Sequence, residues 1–229
     1  MNRLSFQLGM WSAVFCVLTF IMFTVGFVIV LATPPLFFWT NLAAYITRVQ
    51  EQGSFGADFA RLSMLLFAPA FVILLNAVHE TAAANHKIWT RNSLSMGIIF
   101  ATLISLHYFV QLTAVRLSIQ AGQIEGLEQV VQANPLSALS AINMLGITLF
   151  LGLSTLFLAP VFGDGRLQKI IRYALIINGL CCLVGGVSYI LQINVLLFLT
   201  INFGMGGAMM VALIGLAVFF RRQMFVVVI

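Results

Sequence analysis

Long apolar runs alternate with short polar segments along this chain, and six of the runs are long enough to cross a bilayer. A hydrocarbon core about 30 Å thick needs roughly 20 apolar residues in helical form. The runs are continuously apolar and do not alternate in polarity, which favours helices over the strands of a barrel. We therefore predict an all-α polytopic membrane helical bundle with six transmembrane helices. The predicted spans are residues 11–34, 62–78, 94–115, 136–160, 170–190 and 195–220.

Composition agrees with this class. The chain is 62% hydrophobic and 7% charged, against about 25% charged residues in an ordinary soluble domain. No polar stretch is long enough to fold as a soluble domain, so we expect a single transmembrane domain over residues 1–229. The first run could instead be a signal peptide, because Arg3 supplies a basic start. Its apolar stretch is about twice the length of a typical signal core, so we interpret it as the first span.

The basic residues predict an orientation and not a nucleic-acid partner. They are spread over short loops, and no run of them could grip phosphates, despite a net charge of +5. If residue 1 is inside, eight of the eleven Lys and Arg residues lie in inner segments, and Arg48, Arg61 and Arg116 lie in outer segments. The positive-inside rule then places both termini in the cytoplasm. We expect the membrane to be a cell membrane of the bacterial inner-membrane type. Two cytoplasmic termini in turn require an even number of spans, in agreement with the six predicted.

Two outer segments carry apolar residues at helical spacing. Residues 36–50 are predicted to form a short helix along the outer surface, with Trp39 and Tyr45 at the membrane–water boundary. A second amphipathic turn or two is predicted within 116–134. Asn134 and Pro135 are expected to cap and open the fourth span.

Several segments resemble a set of bacterial and archaeal six-span membrane proteins that have no assigned activity. The resemblance lies in YFVQLTAVR at 108–116, GLSTLFLAPVF at 152–162 and RLQKIIR at 166–172, and it continues through 176–179 and 220–222. It covers nearly the whole chain and departs from that pattern at 224–229. The resemblance implies a six-span fold and carries no catalytic residue across.

Four neutral polar residues are the best candidates for a site. Each helical residue rises about 1.5 Å, which places His107, Asn143 and Asn202 roughly 12 Å below the outer boundary and Gln111 about 6 Å below it. His107 and Gln111 are four residues apart and so share one helical face. Because lipid exposure of such groups is costly, we expect all four to face the bundle interior and to lie near one another.

These residues allow two interpretations. They could simply form hydrogen bonds between helices, or they could line a polar cavity open toward the outer leaflet and bind a ligand there. The set His79, Glu80 and His86 looks at first like metal ligands, but it falls at a cytoplasmic helix end and is better explained as a solvated terminus. No established catalytic or cofactor motif is present. We therefore expect no metal, no cofactor and no catalytic residues.

Three functions remain open. The first is binding or movement of a lipid-like or amphipathic small molecule through the outer polar pocket, with membrane lipids as the surroundings. The second is a structural or accessory subunit, or a homo-oligomer, that associates through a small-residue stripe of span six, Gly204, Ala208 and Ala212. The third is an intramembrane lipid-modifying enzyme that uses His107 as acid or base. The three cysteines lie inside predicted spans and do not indicate disulfides.

Overall fold

The computed structural model describes residues 3–34 and 37–226. The main helices of these residues are α1 (Arg3–Ala32), α2 (Leu42–Gln52), α3 (Phe55–Thr81), α4 (Ala84–Gln120), α5 (Ala138–Val161), α6 (Arg166–Ile190) and α7 (Asn194–Phe225). All of these except α2 are long and apolar enough to cross a membrane, so six candidate spans are present. The predicted all-α polytopic class is confirmed.

Five of the six membrane helices in the described residues are longer than the predicted apolar runs, and α5 is the exception. Helix α4, for example, covers 84–120 where the sequence predicts 94–115. Backbone hydrogen bonds do not depend on side-chain polarity, so a helix continues into the polar residues that flank its apolar core. The runs therefore locate the spans correctly but underestimate the length of five of the six.

Two predicted helix starts are wrong, and capping explains both. Helix α2 begins at Leu42 and not near residue 36 (residues 35–36 lie outside the described part). Asn41 caps it, since its Oδ1 accepts a hydrogen bond from Ala44 N at 2.9 Å. Helix α5 begins at Ala138 because Ser137, and not Asn134, accepts from the backbone N–H of Ser140 at 3.1 Å.

The described residues form two compact units. Unit 1 contains the described parts of 1–18, 68–102 and 144–229, and unit 2 contains those of 19–67 and 103–143.

In unit 1, α5 and α6 approach each other closely at two glycines. A Cβ added to Gly179 would lie 2.8 Å from Gly152 O and 2.4 Å from Leu156 Cγ. Such backbone proximity allows extensive van der Waals packing. This packing drives helix association in a membrane, because lipid is as apolar as the helix surfaces and the hydrophobic effect does not favour their contact. These glycines are therefore packing positions.

The small-residue stripe of α7 also packs within unit 1. A Cβ on Gly204 would lie 2.5 Å from Cys181 Sγ, and Ala212 is fully buried. Gly207, beside the stripe, has nothing within 4 Å of its added Cβ. Gly204 of the stripe thus packs against α6, and association with another copy or subunit through span six stays a prediction.

Three membrane helices contain a π turn, which is wider than an α turn and fits in one extra residue. These turns are Gln111–Val115 in α4, Gly146–Leu151 in α5 and Leu199–Met205 in α7. The turn in α7 is supported from α6, because Asn178 Nδ2 donates to Met205 O at 3.0 Å while its Oδ1 accepts from Thr155 at 3.1 Å. Asn178 is fully buried, and we assign it the structural role of joining α5, α6 and α7.

In unit 2, α2 packs against the end of α4 and against the α4–α5 connection through a small apolar core. Six buried residues form this core: Leu42, Tyr45, Val115, Ile119, Leu127 and Val131. Leu127 belongs to a short 3₁₀ turn, Leu127–Gln129, in the connection between α4 and α5. The predicted amphipathic turns within 116–134 therefore consist of the last turn of α4 and this 3₁₀ segment.

Candidate functional site

A cavity of about 420 Å³ opens in unit 2 beside α2. Three elements surround it: α2 with the turn that follows it, the first two turns of α3, and the last three turns of α4. Its lining residues are Tyr45, Val49, Gln50, Gly53, Ser54, Asp58, Arg61, Gln111, Val115, Arg116, Ile119 and Gln120. The volume falls in the range typical of small-molecule sites, about 300–1,000 Å³.

Helix α2 forms one wall because its two ends are fixed. The Asn41 cap starts it, and Gly53 ends it with a φ of +73°, a conformation that side-chain-bearing residues rarely adopt. Between these ends Tyr45 is buried against the rings of Phe37 and Trp39. Val49 and Gln50, one turn further on, then face the cavity.

Arg61 is the central polar residue of the cavity. Its side chain is buried, yet its guanidinium donates to Asp58 Oδ1 at 2.8 Å, to Gln132 Oε1 at 2.9 Å and to the Tyr45 hydroxyl at 3.5 Å. Ser54 donates to the other oxygen of Asp58. A buried charge is tolerable only when paired and hydrogen-bonded in this way. The network fixes the guanidinium at one place in the wall.

Arg116 lies on the same cavity with a different environment. Its side chain is exposed, and it has no hydrogen-bond or ion-pair partner among residues 3–34 and 37–226. It stands directly after the π turn of α4. Val49, Val115 and Ile119 supply apolar lining surface. The cavity thus combines an apolar wall with one fixed and one unpaired guanidinium.

Gln111 is buried as predicted and reaches the cavity, but both ends of its amide are already bonded. Its Nε2 donates to Val130 O, and its Oε1 accepts from Gln132 N at 3.1 Å. Gln132 also accepts from Arg61 through its side chain and from Ser140 through its carbonyl. Gln111 and Gln132 together tie the α4–α5 connection to α4 and to Arg61 of α3.

His107 and Asn143 are also buried, as predicted, and both belong to unit 2. His107 Nδ1 lies 3.1 Å from Leu139 O, and since a carbonyl only accepts, Nδ1 is the donor. Within the described chain, His107 Nε2 and Asn143 Oδ1 are buried atoms without a hydrogen-bond partner. Asn143 stands one helical turn after Leu139 and therefore shares with it the face of α5 whose Leu139 carbonyl accepts from His107. Neither residue lines the cavity of unit 2 described above.

Asn202 departs from the prediction. Its side chain is exposed, and its Nδ2 donates to Phe198 O on its own helix at 2.9 Å. Depth along a helix does not specify the direction in which a side chain points, and this local bond satisfies the amide without an interior partner. Asn202 lies in the π turn of α7, in unit 1. Its expected interior orientation is therefore wrong, and a ligand-binding role for it remains untested.

The charged residues of the cavity were not predicted, because in the sequence alone Arg61 and Arg116 indicate only the orientation of the chain. The sequence does contain one pattern that could have indicated Arg61 as a cavity residue. Asp58 and Arg61 are three residues apart at the start of a membrane helix, which places them on one face and within pairing distance. A charge pair of this kind at a span end can indicate a buried polar wall as well as an interface.

The set His79, Glu80 and His86 lies in unit 1, where His79 takes part in contacts between two helices. His79 Nδ1 lies 2.7 Å from Thr90 Oγ1, and Lys87 Nζ donates to His79 O. Over residues 3–34 and 37–226, no group of three or more His, Cys, Asp or Glu side chains is placed to hold a metal ion. These contacts join the end of α3 to the start of α4.

No protein-family model, curated protein or solved structure matches this chain. Its function must therefore be argued from the geometry of the cavity and from the membrane helices.

Proposed function

We propose that this multi-pass membrane protein binds a lipid-like or amphipathic small molecule in the cavity of unit 2. The observation that carries the proposal is the cavity itself, in which apolar side chains and a fixed, buried guanidinium line one space of about 420 Å³. An amphipathic molecule matches both surfaces at once. A purely apolar ligand would leave the polar groups of the wall desolvated, which is unfavourable.

The proposed orientation places this cavity on the outer side. The eight-to-three distribution of basic residues favours cytoplasmic termini. Helix α3 then begins outside and α4 ends outside, so the cavity lies at the outer end of the bundle, within reach of the outer leaflet. A molecule could enter it from that leaflet without crossing the membrane.

Reporter fusions test this orientation. With both termini cytoplasmic, fusions at Gly53 and Gly126 are expected to be active only with a periplasmic reporter such as alkaline phosphatase. A fusion after residue 229 is expected to be active only with a cytoplasmic reporter such as green fluorescent protein. The inverse pattern would contradict the orientation and place the cavity in the inner leaflet.

Mass spectrometry of the gently purified protein tests the binding function. We expect a defined lipid or amphipath to co-purify with the wild-type protein at a reproducible molar ratio. Val49→Phe adds volume to the cavity wall, so it should reduce the bound ligand several-fold. Leu117→Phe is the matched control, because Leu117 is exposed near the same end of α4 and does not line the cavity.

The outcomes separate the three functions. Equal ligand in Val49→Phe and wild type, with both proteins folded, would place the ligand elsewhere and contradict the proposal. A protein that carries no ligand but co-purifies with a defined membrane partner would favour an accessory subunit. Chemical conversion of the bound lipid that is lost in His107→Ala would favour the enzyme.

A further inference from the structure

We infer that the ligand of the unit 2 cavity carries an anionic head group, a carboxylate or a phosphate, on an acyl chain. This inference rests on the proposed binding function and adds the chemical class of the ligand. It is based on the sign of the charge in the cavity and on the difference between its two arginines.

The residues that line the cavity carry a net positive charge, although the outer segments as a whole carry a net negative charge. The segments on the proposed outer side carry three arginines (Arg48, Arg61 and Arg116) against four acids (Glu51, Asp58, Glu125 and Glu128). Among the cavity's lining residues, however, two arginines face a single acid, Asp58. Two of the three outer arginines therefore line one cavity, while three of the four acids do not. This distribution favours a negative ligand.

The two guanidiniums have different tasks. Arg61 is neutralised by Asp58 at 2.8 Å and held by Gln132, so it contributes a fixed donor surface more than net charge. Arg116 has no partner in the described residues, and its charge is the uncompensated one. A guanidinium matches the two oxygens of a carboxylate or phosphate through paired N–H donors. We assign Arg116 as the residue that pairs with the head group.

The remaining lining residues fit the same ligand. Gln50 and Gln120 are exposed amides at the cavity and provide further hydrogen-bond donors. Val49, Val115 and Ile119 provide apolar surface that an acyl chain can contact. Arg48, the third outer arginine, instead lies over the ring of Phe37 at 5.7 Å and is not a lining residue.

Binding of matched probes to the full-length protein in neutral-lipid nanodiscs tests the inference. The probes are palmitate, hexadecanol and inorganic phosphate, which separate anionic lipid, neutral lipid and free anion. The variants are Arg116→Gln, Arg116→Lys and, as a charge-removal control outside the cavity, Arg166→Gln. Arg166 is exposed and belongs to unit 1.

Palmitate is expected to bind the wild type about tenfold or more tightly than hexadecanol, as one charge-assisted hydrogen bond contributes. Arg116→Gln should remove that preference, Arg116→Lys should restore part of it, and Arg166→Gln should leave it unchanged. Equal binding of palmitate and hexadecanol would overturn the head-group inference while leaving the binding function intact. Failure of both lipids to bind would overturn the two together. Tight binding of inorganic phosphate alone would show a free-anion site and overturn the acyl-chain part.

Discussion

Replacing Gly179 with alanine is expected to destabilise unit 1 by about 2–3 kcal/mol, the upper part of the usual cost of overpacking a core. The new methyl would lie 2.4 Å from Leu156 Cγ and 2.8 Å from Gly152 O. The second of these is backbone, so α5 and α6 can relieve the overlap only by moving apart. That movement would loosen the contacts around Cys182 and Asn178, which lie at the same interface.

Thermal unfolding in a mild detergent measures this effect, and Gly207→Ala provides the control. Gly207 has nothing within 4 Å of its added Cβ, so alanine there should be neutral or slightly stabilising through its better helix propensity. A Gly179→Ala protein that unfolds at the wild-type temperature would contradict the close approach of α5 and α6.

Replacing Arg61 with leucine is expected to destabilise unit 2 by about 2–3 kcal/mol, because a charged partner and its hydrogen bonds are lost together. Asp58 would lose its cation, and Gln132 Oε1 would lose its donor. The connection between α4 and α5 should then open more often. We expect faster protease cleavage within residues 121–136 than in the wild type.

A double variant and a control make the Arg61 experiment specific. Asp58→Asn combined with Arg61→Leu should cost less than the sum of the single changes, since it removes the unpaired carboxylate that Arg61→Leu leaves behind. Arg116→Leu should change stability by less than about 0.5 kcal/mol, because its exposed side chain has no hydrogen-bond or ion-pair partner within 3–34 and 37–226 to lose. Strict additivity at Asp58 and Arg61 would show that the pair is not energetically coupled.

The sequence predicted the six spans because hydrophobicity over about 20 residues is a strong and nearly sufficient signal. It also predicted that His107, Gln111 and Asn143 would be buried, as the cost of exposing polar groups to lipid requires. The start of α2 was missed because the apolar spacing begins near residue 36, ahead of the Asn41 cap, and that of α5 because both Asn134 and Ser137 could cap it. Only the local backbone geometry decides which of them does.

The site was harder to predict than the spans, for a geometric reason. Depth along a helix gives one coordinate, whereas a cavity depends also on the direction of each side chain. Asn202 was predicted to share the depth of His107, but its side chain is exposed. Gln111 points inward, yet its amide already binds the α4–α5 connection. Arg61 at the start of α3 and Arg116 near the end of α4 line one cavity, and the pattern of apolar residues does not show that these two helix ends meet.

The π turn in α4 has a consequence for comparing this chain with related sequences. An uninterrupted α-helix would bring Ser118, seven residues after Gln111, to the buried face. After the wider turn it is Ile119 that is buried, while Ser118 is only half-buried. A related chain without this turn would present the same face with one residue fewer. Its correct alignment would need a one-residue gap within Gln111–Val115, and an ungapped alignment would match the cavity residues of α4 to the wrong positions.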